Sequence, residues 1–348
     1  MLTLKELNVQ NKRVLLRCDF NVPLSNEGVI LDDFRIKETV PTIEHLIKNG
    51  AKVVLMSHLG RPKGKVVESL KLAPIQEKLS EYLNRKIAKA SDCIGIEIEK
   101  KTNEMKPGEV LLLENLRFHK EEEENDAQFA LELAKLGDIY INDAFGASHR
   151  AHASIVGVPK YLPSAAGLLL EKEIKILTKL MENPVKPLVV IIGGAKAETK
   201  TKLIDRISEI SDFTLINGLI QREIKEKNIK LKYPQKIIGP LDEVEGKDIG
   251  QKTIKLFKEK IFSAKTVFWN GPLGMFEKKE FAKGTEEIAR AIVRSGVFSV
   301  VGGGETVDFI NSLGLLSKFN HVSTGGGAMI EFLSGEKLPG IEVLRSAS

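Results

Sequence analysis

Arginine and histidine recur at the ends of short apolar runs in the first half of the chain. These runs are Val14–Arg17, Val53–Met56, Val110–Leu113 and Ile139–Ile141. Their ends read RCDFN, SHLGRP, ENLRF and NDAF, and SHRAH comes a turn after the last of them. A guanidinium group offers a rigid fork of N–H donors that matches carboxylate or phosphate oxygens. Several such groups at one edge of a sheet indicate a site for a small, multiply anionic molecule, whereas any one arginine alone could form an ordinary surface ion pair.

Glycine clusters take the same position in the second half of the chain. The apolar runs there are Leu188–Ile192, Phe213–Ile216, Thr266–Trp269, Phe298–Val301 and His321–Ser323, and their ends carry GGAK, NGP, GGGE and GGGA. Glycine lets the backbone approach a phosphate, and the free N–H groups of a following helix favour the anion. One cluster alone would indicate a tight turn, but several together predict a nucleotide phosphate site. Lys196 and Lys200 add positive charge four residues apart.

Several familiar catalytic patterns are absent from the sequence. It has no G-x-x-x-x-G-K-[ST] loop, no G-x-G-x-x-G after the first apolar run and no G-x-S-x-G elbow. His149 and His152 are three residues apart, but no third zinc ligand stands near them. An anion site and a phosphate site without a covalent nucleophile together predict direct phosphoryl transfer, which needs in-line positioning and positive charge around the transferred group.

The elements that must position these residues follow from the pattern of apolar runs. Runs with little polar alternation are typical of parallel strands that are buried on both faces and covered by helices. Helical spacing is predicted for Arg35–Lys48, Leu72–Leu83 and Ala127–Leu136, between the strands. The fold class predicted is therefore α/β, with two doubly wound, Rossmann-like parallel-sheet domains. A helix over LLLEKEIKILTKLM, which ends at the prolines of NPVKP, is expected to join them.

Bulk composition narrows the function classes. The 348 residues are 42% hydrophobic and 28% charged, which indicates a globular chain with enough length for two domains. A net charge of +5 spread along the chain, with 6% aromatic residues, does not favour a nucleic-acid partner. We expect no membrane span, no secretory signal, a cytoplasmic location and a monomer. The acidic run Glu121–Glu124 is interpreted as a solvated helix start without a catalytic role.

A family resemblance joins these motifs. RVLLRCDFNVP, DDFRI, SHLGRPKG, ENLRF, NDAFGASHRAHAS, GGAK, DIGQKTIKLF, WNGPLGMFE, FAKGT, VVGGGET and STGGGAMIEFLSGEKLPGIEVL resemble phosphoglycerate kinase in order and spacing. The resemblance implies the reversible reaction of 1,3-bisphosphoglycerate with ADP to give 3-phosphoglycerate and ATP, by direct transfer on hinge closure. It implies an N-terminal 3-phosphoglycerate domain over residues 1–163, an interdomain helix over 164–183, a shortened nucleotide domain over 184–330 and a tail over 331–348 that returns to the first domain.

The resemblance also implies a role for individual residues. Substrate contacts are expected from Asp19, Asn21, Arg35, His58, Arg61, Arg117 and Arg150. Nucleotide contacts are expected from Lys196, Lys200, Gly246, Asn270, Glu277, Gly303, Gly304, Glu305 and Thr306. Arg35, Lys196, Gly325 and Gly326 would act on the transferred group, and Glu305 would hold Mg²⁺ beside ATP or ADP.

The chain departs from the family pattern on the nucleotide side. Glu305 stands where the family usually has Asp, Thr201 replaces an isoleucine, and the glycine-rich adenine segment is reduced to Ile216–Leu219. Between Leu231 and Asp248 the chain is shorter than the family and is expected to keep one strand but to lack a helix. An alternative therefore stands beside the kinase: an impaired family member that binds 3-phosphoglycerate but binds nucleotide poorly.

Overall fold

The computed structural model describes residues 1–195 and 197–346. The chain divides into two compact units. The first unit is Met1–Ile174 together with the C-terminal segment that starts at Lys337, and the second is Lys175–Glu336. Each unit contains a six-stranded sheet in which all neighbouring strands run parallel.

The first unit alternates strands with helices. Its elements are β1 (Arg13–Arg17), α1 (Phe34–Lys48), β2 (Lys52–Met56), α2 (Ala73–Tyr82), β3 (Ala88–Lys89), α3 (Ile96–Glu104), β4 (Val110–Leu112), α4 (Lys120–Glu124), α5 (Ala127–Ala134), β5 (Ile139–Asn142), β6 (Ser164–Ala166) and the start of α6 (Leu168–Glu182). The sheet order is β3-β4-β2-β1-β5-β6. The chain runs outward from β1 to one side through β2 and to the other through β5, so the topological switch point lies between β1 and β5.

The second unit repeats this plan. Its elements are β7 (Leu188–Ile192), α7 (Ala197–Ile210), β8 (Phe213–Ile216), α8 (Gly218–Glu226), β9 (Ile237–Ile238), β10 (Glu243–Val244), β11 (Asp248–Ile249), α9 (Gln251–Ser263), β12 (Thr266–Asn270), α10 (Lys283–Ser295), β13 (Phe298–Gly302), α11 (Gly304–Ser312), β14 (His321–Val322) and α12 (Gly327–Leu333). The C-terminal helix α13 (Pro339–Ser346) follows. The sheet order is β14-β13-β12-β7-β8-β9, which places the switch point between β7 and β12.

Short helical turns complete the chain. The 3₁₀ turns are Leu4–Glu6, Glu68–Leu70, Leu116–Phe118, Phe145–Ala147, Val158–Lys160, Pro234–Lys236, Lys279–Phe281 and Leu316–Lys318, and Ala153–Gly157 is a π-helix. Among the described residues, no helix combines the length and the apolar character that crossing a membrane would require.

The predicted α/β class with two parallel-sheet domains is confirmed. The central strands are buried on both faces, as the unbroken apolar runs predicted; β7 is buried throughout. The segment between Leu231 and Asp248, predicted to keep one strand, contains β9 and β10. The sequence did not indicate β3 or β6, because each has only two or three residues and lies at a sheet edge. A run that short carries no periodicity from which a strand can be recognised.

The helix between the two units begins at Leu168, and Ser164–Ala166 before it forms an edge strand that pairs with β5. Asp143, just after β5, fixes the start of this helix because its Oδ1 accepts hydrogen bonds from the Leu169 and Leu170 amides. Burial raises the pKa of this carboxyl group to about 6. The boundary between the two units lies inside α6, after Ile174.

The shortened segment between α8 and α9 folds as a 3₁₀ turn, the strand β9 and the hairpin β10–β11. β9 pairs with β8 and ends the sheet. Arg222 on α8 binds this segment twice, with Nη1 2.6 Å from Oε2 of Glu243 and Nη2 2.8 Å from the Gly246 carbonyl oxygen. Asp242 accepts hydrogen bonds from the first amides of α9, and Asp248 accepts one from the Gly284 amide of α10. The C-terminal part of the shortened segment is thus fixed to the first turns of two helices.

Candidate active site

The carboxyl ends of β1, β2, β4 and β5 carry the arginines and histidines of the first unit, and we call this region the basic edge. Asp19 follows β1 and is buried, and its Oδ2 lies 3.0 Å from Nη1 of Arg35. The same Nη1 donates to the Asn21 carbonyl oxygen at 3.2 Å. The Asn21 side chain accepts from the Gly60 amide, which ties the loop after β1 to the loop after β2. Three of the predicted residues therefore form one connected group.

Arg117 is the most informative residue of the basic edge. Its side chain is 2% exposed, and Nη1 donates to the Gly60 carbonyl oxygen at 2.8 Å. Nε and Nη2 are buried and have no hydrogen-bond partner among the described residues, although the Glu123 carboxylate lies 3.4 Å from Nε. Burial lowers the pKa of this guanidinium to about 10, with Glu123 opposing the shift and Arg150 adding to it. Two buried guanidinium nitrogens without a hydrogen-bond partner call for an anionic ligand.

His58 lies among these arginines and is 5% exposed. Burial lowers its pKa well below the usual value, and the positive charges of Arg17, Arg117, Arg150 and Arg35 lower it further. The ring is therefore neutral at physiological pH. Its Nδ1 lies 3.3 Å from Nη2 of Arg17.

The remaining predicted residues of this edge are more open. Arg61 is exposed, and Arg150 is half-buried and donates to Nε2 of His149 at 3.3 Å. The positive charge of Arg150 lowers the pKa of both His58 and Arg117, so Arg150 lies in the same region.

Sequence reasoning missed part of the basic edge. Arg17 and His152 are buried there, and burial with the nearby arginines lowers the pKa of His152 to about 3. Both lie in the motifs that carried the prediction, so the strand-end pattern was sufficient to find them. The interpretation of Glu121–Glu124 as solvated is wrong for Glu122, which is fully buried. The short helix α4 packs on the π-helix Ala153–Gly157, and this contact turns one side chain of the acidic run inward.

The carboxyl ends of β7, β12, β13 and β14 form the corresponding region of the second unit, which we call the glycine edge. The loops after β7 and β12 cross in close contact: the Gly193 amide donates to the Asn270 carbonyl oxygen at 2.9 Å, and the Gly194 amide donates to Pro272 at 2.7 Å. A Cβ atom at Gly193 would overlap the Pro272 carbonyl oxygen, and one at Gly271 would overlap the Gly193 carbonyl oxygen. Only glycine fits at these two positions.

Lys200 lies beside the crossing of the loops after β7 and β12. The ammonium group of Lys200, on α7, donates to the Gly193 carbonyl oxygen. Burial lowers the pKa of Lys200 to about 8, although the negative charge of Glu305 acts in the opposite direction. Lys196, predicted beside it, lies outside the described residues.

The GGGET motif connects β13 to α11. The Thr306 hydroxyl accepts from the Gly271 amide at 2.9 Å, and the Asn270 side chain donates to the Gly302 carbonyl oxygen at 3.1 Å. Glu305 is exposed on the first turn of α11, and the space around Gly304 is open. The structure thus brings Asn270, Gly303, Gly304, Glu305 and Thr306 together around the loops after β12 and β13.

The other predicted residues of this unit lie as follows. Gly325 is buried after β14, and its amide donates to the Ser323 hydroxyl, while Gly326 directly precedes α12. Glu277 is exposed beyond the loop after β12. Gly246 lies in the turn of the hairpin β10–β11 and not at an end of a six-stranded sheet, so it is placed apart from the glycine clusters in the topology.

Asn217, which departs from the family's glycine-rich segment, has a structural role. Its Oδ1 caps α8 by accepting from the Ile220 amide at 3.0 Å, and its Nδ2 donates to the Gly194 carbonyl oxygen at 3.1 Å. The residue therefore ties the start of α8 to the loop after β7.

Two Rossmann-like units, one with arginines at the ends of its strands and the other with glycine loops at its switch point, define an α/β enzyme that acts on phosphorylated ligands. The family model for phosphoglycerate kinase matches residues 4–231 and 220–336. The chain belongs to the phosphoglycerate kinase family. It is accordingly an enzyme, a phosphotransferase with a carboxyl group as acceptor.

Individual relatives cover nearly the whole chain. It is 46% identical to the phosphoglycerate kinase of Dictyoglomus turgidum over 391 aligned residues, with 99% of this chain and 98% of the relative covered. It is 45% identical to that of Moorella thermoacetica over 388, with the same coverage. Both alignments are longer than the 348 residues of this chain, so each relative has positions without a counterpart here. The first family match ends at Leu231, where the shortened segment was predicted to begin.

Solved structures agree with the fold. The phosphoglycerate kinase of Pyrococcus horikoshii matches with a TM-score of 0.87 and 33% identity, covering 100% of this chain and 99% of the other. The phosphoglycerate kinase from Coxiella burnetii matches with a TM-score of 0.82 and 34% identity, covering 99% of each chain. These comparisons support the kinase, and nothing in them favours the impaired alternative.

Proposed function

We propose that this enzyme catalyses reversible phosphoryl transfer between 1,3-bisphosphoglycerate and ADP, giving 3-phosphoglycerate and ATP, with the first unit taking the acid and the second the nucleotide. The observation that carries the assignment of the acid is the buried Arg117 guanidinium, whose Nε and Nη2 have no hydrogen-bond partner in the described part of the chain. A phosphoglycerate supplies both carboxylate and phosphate oxygens, which match guanidinium donors.

On the basic edge, the ligand contacts proposed are Asp19, Asn21, Arg35, His58, Arg61, Arg117 and Arg150. Asp19 holds Arg35 in place and leaves part of its fork available, since the hydrogen bonds of Arg35 to Asp19 and to the Asn21 carbonyl oxygen both use Nη1. The acceptor carboxylate is itself the nucleophile, so the transfer needs no general base. The remaining requirement is stabilisation of the charge on the phosphoryl group, which we assign to Arg35 and Lys196.

In the second unit, the nucleotide contacts proposed are Lys196, Lys200, Gly246, Asn270, Glu277, Gly303, Gly304, Glu305 and Thr306. The glycine loops supply backbone N–H groups at close range. The amides beside Gly325 and Gly326, at the start of α12, would face the transferred group.

A magnesium ion is implied by the family, and the residues present suit it. Mg²⁺ prefers carboxylate oxygens and binds through one or two of them together with phosphates. Glu305 provides an exposed carboxylate on the first turn of α11, and it lies close enough to Lys200 for its charge to raise the pKa of that lysine. When bound, Mg²⁺ neutralises phosphate charge. Glu305→Gln should raise the concentration of Mg²⁺ needed for ADP binding, measured by calorimetry.

A coupled assay with ATP, Mg²⁺ and 3-phosphoglycerate tests the proposed reaction directly. We expect turnover that requires all three components. Calorimetry with ADP and Mg²⁺ together distinguishes the active kinase from the impaired alternative. The impaired alternative predicts binding of 3-phosphoglycerate without appreciable binding of ADP. Folded protein without turnover across a range of temperatures would contradict the proposal.

We further propose a cytoplasmic monomer that has no nucleic-acid partner. In the described part of the chain the two cysteines, Cys18 and Cys93, are both buried free thiols, which suits a reducing compartment. Size-exclusion chromatography with light scattering would test the monomer, and a duplex-binding assay at low salt would test the partner.

A further inference from the structure

A buried chain of polar groups lies behind the basic edge. Arg17, the last residue of β1, is fully buried despite its charge. Its Nε donates to the Ser154 hydroxyl at 2.7 Å, its Nη1 donates to the Cys18 carbonyl oxygen, and its Nη2 lies 3.3 Å from Nδ1 of His58. A buried cation of this kind needs a compensating negative charge nearby.

Glu122 supplies that charge. Its side chain is fully buried, and Oε1 lies 3.9 Å from Nη2 of Arg17. Oε1 accepts a hydrogen bond from the Ser154 hydroxyl at 2.5 Å, and Oε2 accepts one from the Ser154 amide at 2.9 Å. A hydroxyl has one hydrogen to donate. Because Ser154 gives that hydrogen to Glu122, its oxygen is left to accept from Arg17, and the direction of the chain is fixed.

The same direction extends to His58. A guanidinium has donors and no acceptor, so the contact between Arg17 and the imidazole requires a lone pair on Nδ1. A neutral imidazole with a lone pair on Nδ1 carries its hydrogen on Nε2. Burial among four arginines keeps the ring neutral. Nε2–H then remains as the one polar group of the ring that is free of Arg17, and it is a donor.

We propose that Glu122, Ser154 and Arg17 are positioning residues that hold His58 as the Nε2–H tautomer, so that the ring presents a hydrogen-bond donor to an anionic acid. The opposite tautomer would present a lone pair to carboxylate or phosphate oxygens and would repel them. The donor role toward the acid rests on the proposed function, whereas the tautomer is a property of the unliganded enzyme.

Two-bond ¹⁵N–¹H correlation spectra of the histidine rings of the whole enzyme, without ligand at neutral pH, report the tautomer. His58→Gln assigns the signal. We expect an Nε2–H pattern for His58 in the unchanged enzyme and a mixed or Nδ1–H pattern in Glu122→Gln and Ser154→Ala. Glu124→Gln, an exposed position on the same helix α4, is the matched control and should leave the pattern unchanged.

Binding measurements complete the test. Glu122→Gln and Ser154→Ala should each weaken 3-phosphoglycerate binding roughly tenfold and leave ADP binding unchanged. His58→Gln keeps an amide donor near the position of Nε2 and should retain more affinity than His58→Asn. Circular dichroism identifies any variant that fails to fold, and once the His58 signal is assigned, the spectrum of the unchanged enzyme decides the tautomer without Glu122→Gln or Ser154→Ala.

The tautomer of His58 and its donor role toward the acid can be contradicted separately. An Nδ1–H or imidazolium pattern in the unchanged enzyme, or an unaltered pattern in both network variants, overturns the positioning role. If the tautomer behaves as expected but 3-phosphoglycerate does not bind, the donor role and the assigned acid are overturned while the network stands.

Discussion

The basic edge and the glycine edge occupy the same place in their sheets, at the carboxyl ends of strands around a switch point, but they are built differently. At the basic edge the ligand groups are side chains, several of them buried, with His58, Arg117 and Arg17 held by hydrogen bonds to other residues. At the glycine edge the backbone itself forms the proposed binding surface, and Glu277 and Glu305 are exposed.

This difference has consequences for how each edge responds to change. Buried charges of one sign destabilise each other, so the basic edge depends on its negative partners and on its anionic ligand. The glycine edge depends on shape, because its loops touch backbone to backbone. We therefore expect the basic edge to be sensitive to charge and the glycine edge to be sensitive to volume.

The largest effect should come from removing the charges assigned to the phosphoryl group. Arg35→Ala on the basic edge and Lys196→Ala in the second unit should each lower kcat by roughly 10²–10³-fold, with a smaller change in KM, since the proposed interaction is made in the transition state. Steady-state kinetics with both substrates varied would measure this. Lys37→Ala, an exposed change on the same helix as Arg35, is the control. A variant that mainly raised KM would contradict the transition-state role assigned to that residue.

Volume is tested at the crossing of the glycine loops. Gly271 has φ of +89°, and a Cβ there would overlap the Gly193 carbonyl oxygen. Gly271→Ala should therefore lower Tm and weaken ADP binding more than about tenfold, while binding of 3-phosphoglycerate stays unchanged. Gly304→Ala is the matched variant, because the space around Gly304 is open. Its Tm should not fall, although a bound phosphate would contact the new methyl group. Normal ADP binding by Gly271→Ala would contradict the shape argument.

A smaller effect is expected from the titration of Lys200, which should make ADP affinity depend on pH and leave the affinity for 3-phosphoglycerate unchanged. Its pKa of about 8 means that the ammonium form, which attracts phosphate, is lost as pH rises through that value. ADP affinity should fall about tenfold between pH 7 and pH 9 if binding needs the charged form. Lys200→Arg should flatten this dependence because arginine stays charged. The affinity for 3-phosphoglycerate serves as the internal control, and an equal fall in both affinities would argue against Lys200 as the cause.

The smallest expected effect is at the departure from the family's adenine segment. Asn217→Ala removes the N-cap of α8 and the bond to Gly194, and should lower the free energy of unfolding by about 1 kcal/mol. Asn217→Asp keeps the capping oxygen and should lose less. Chemical denaturation monitored by circular dichroism measures both. No change in either variant would show that the residue acts elsewhere than in the cap.

The sequence was a good guide to the fold and to the basic edge, because strand-end motifs carry arginine and histidine in positions that parallel topology must bring together. It was a poor guide to Glu122. Within KEEEE each glutamate has the same local pattern, and only the packing of α4 against the π-helix decides which one is buried. Asn217 was noticed as a missing glycine, although an asparagine ahead of a helix is also a capping signal. The pairing of Arg17 with Ser154 joins residues 137 positions apart and has no local signal.

The shortened segment between α8 and α9 also bears on how this chain could be remodelled. Asp242 and Asp248, in its C-terminal part, accept hydrogen bonds from the first turns of α9 and α10, and its hairpin is attached to α8 through Arg222. Just before Asp242, Leu241 is 65% exposed, its amide donates to the Thr253 hydroxyl, and neither it nor its neighbour Pro240 takes part in a six-stranded sheet. Loop tips of this kind tolerate added length when their backbone is exposed. Position 240–241 is thus a natural point for domain insertion or for a fused reporter, one that lengthens the loop while leaving both helix caps in place.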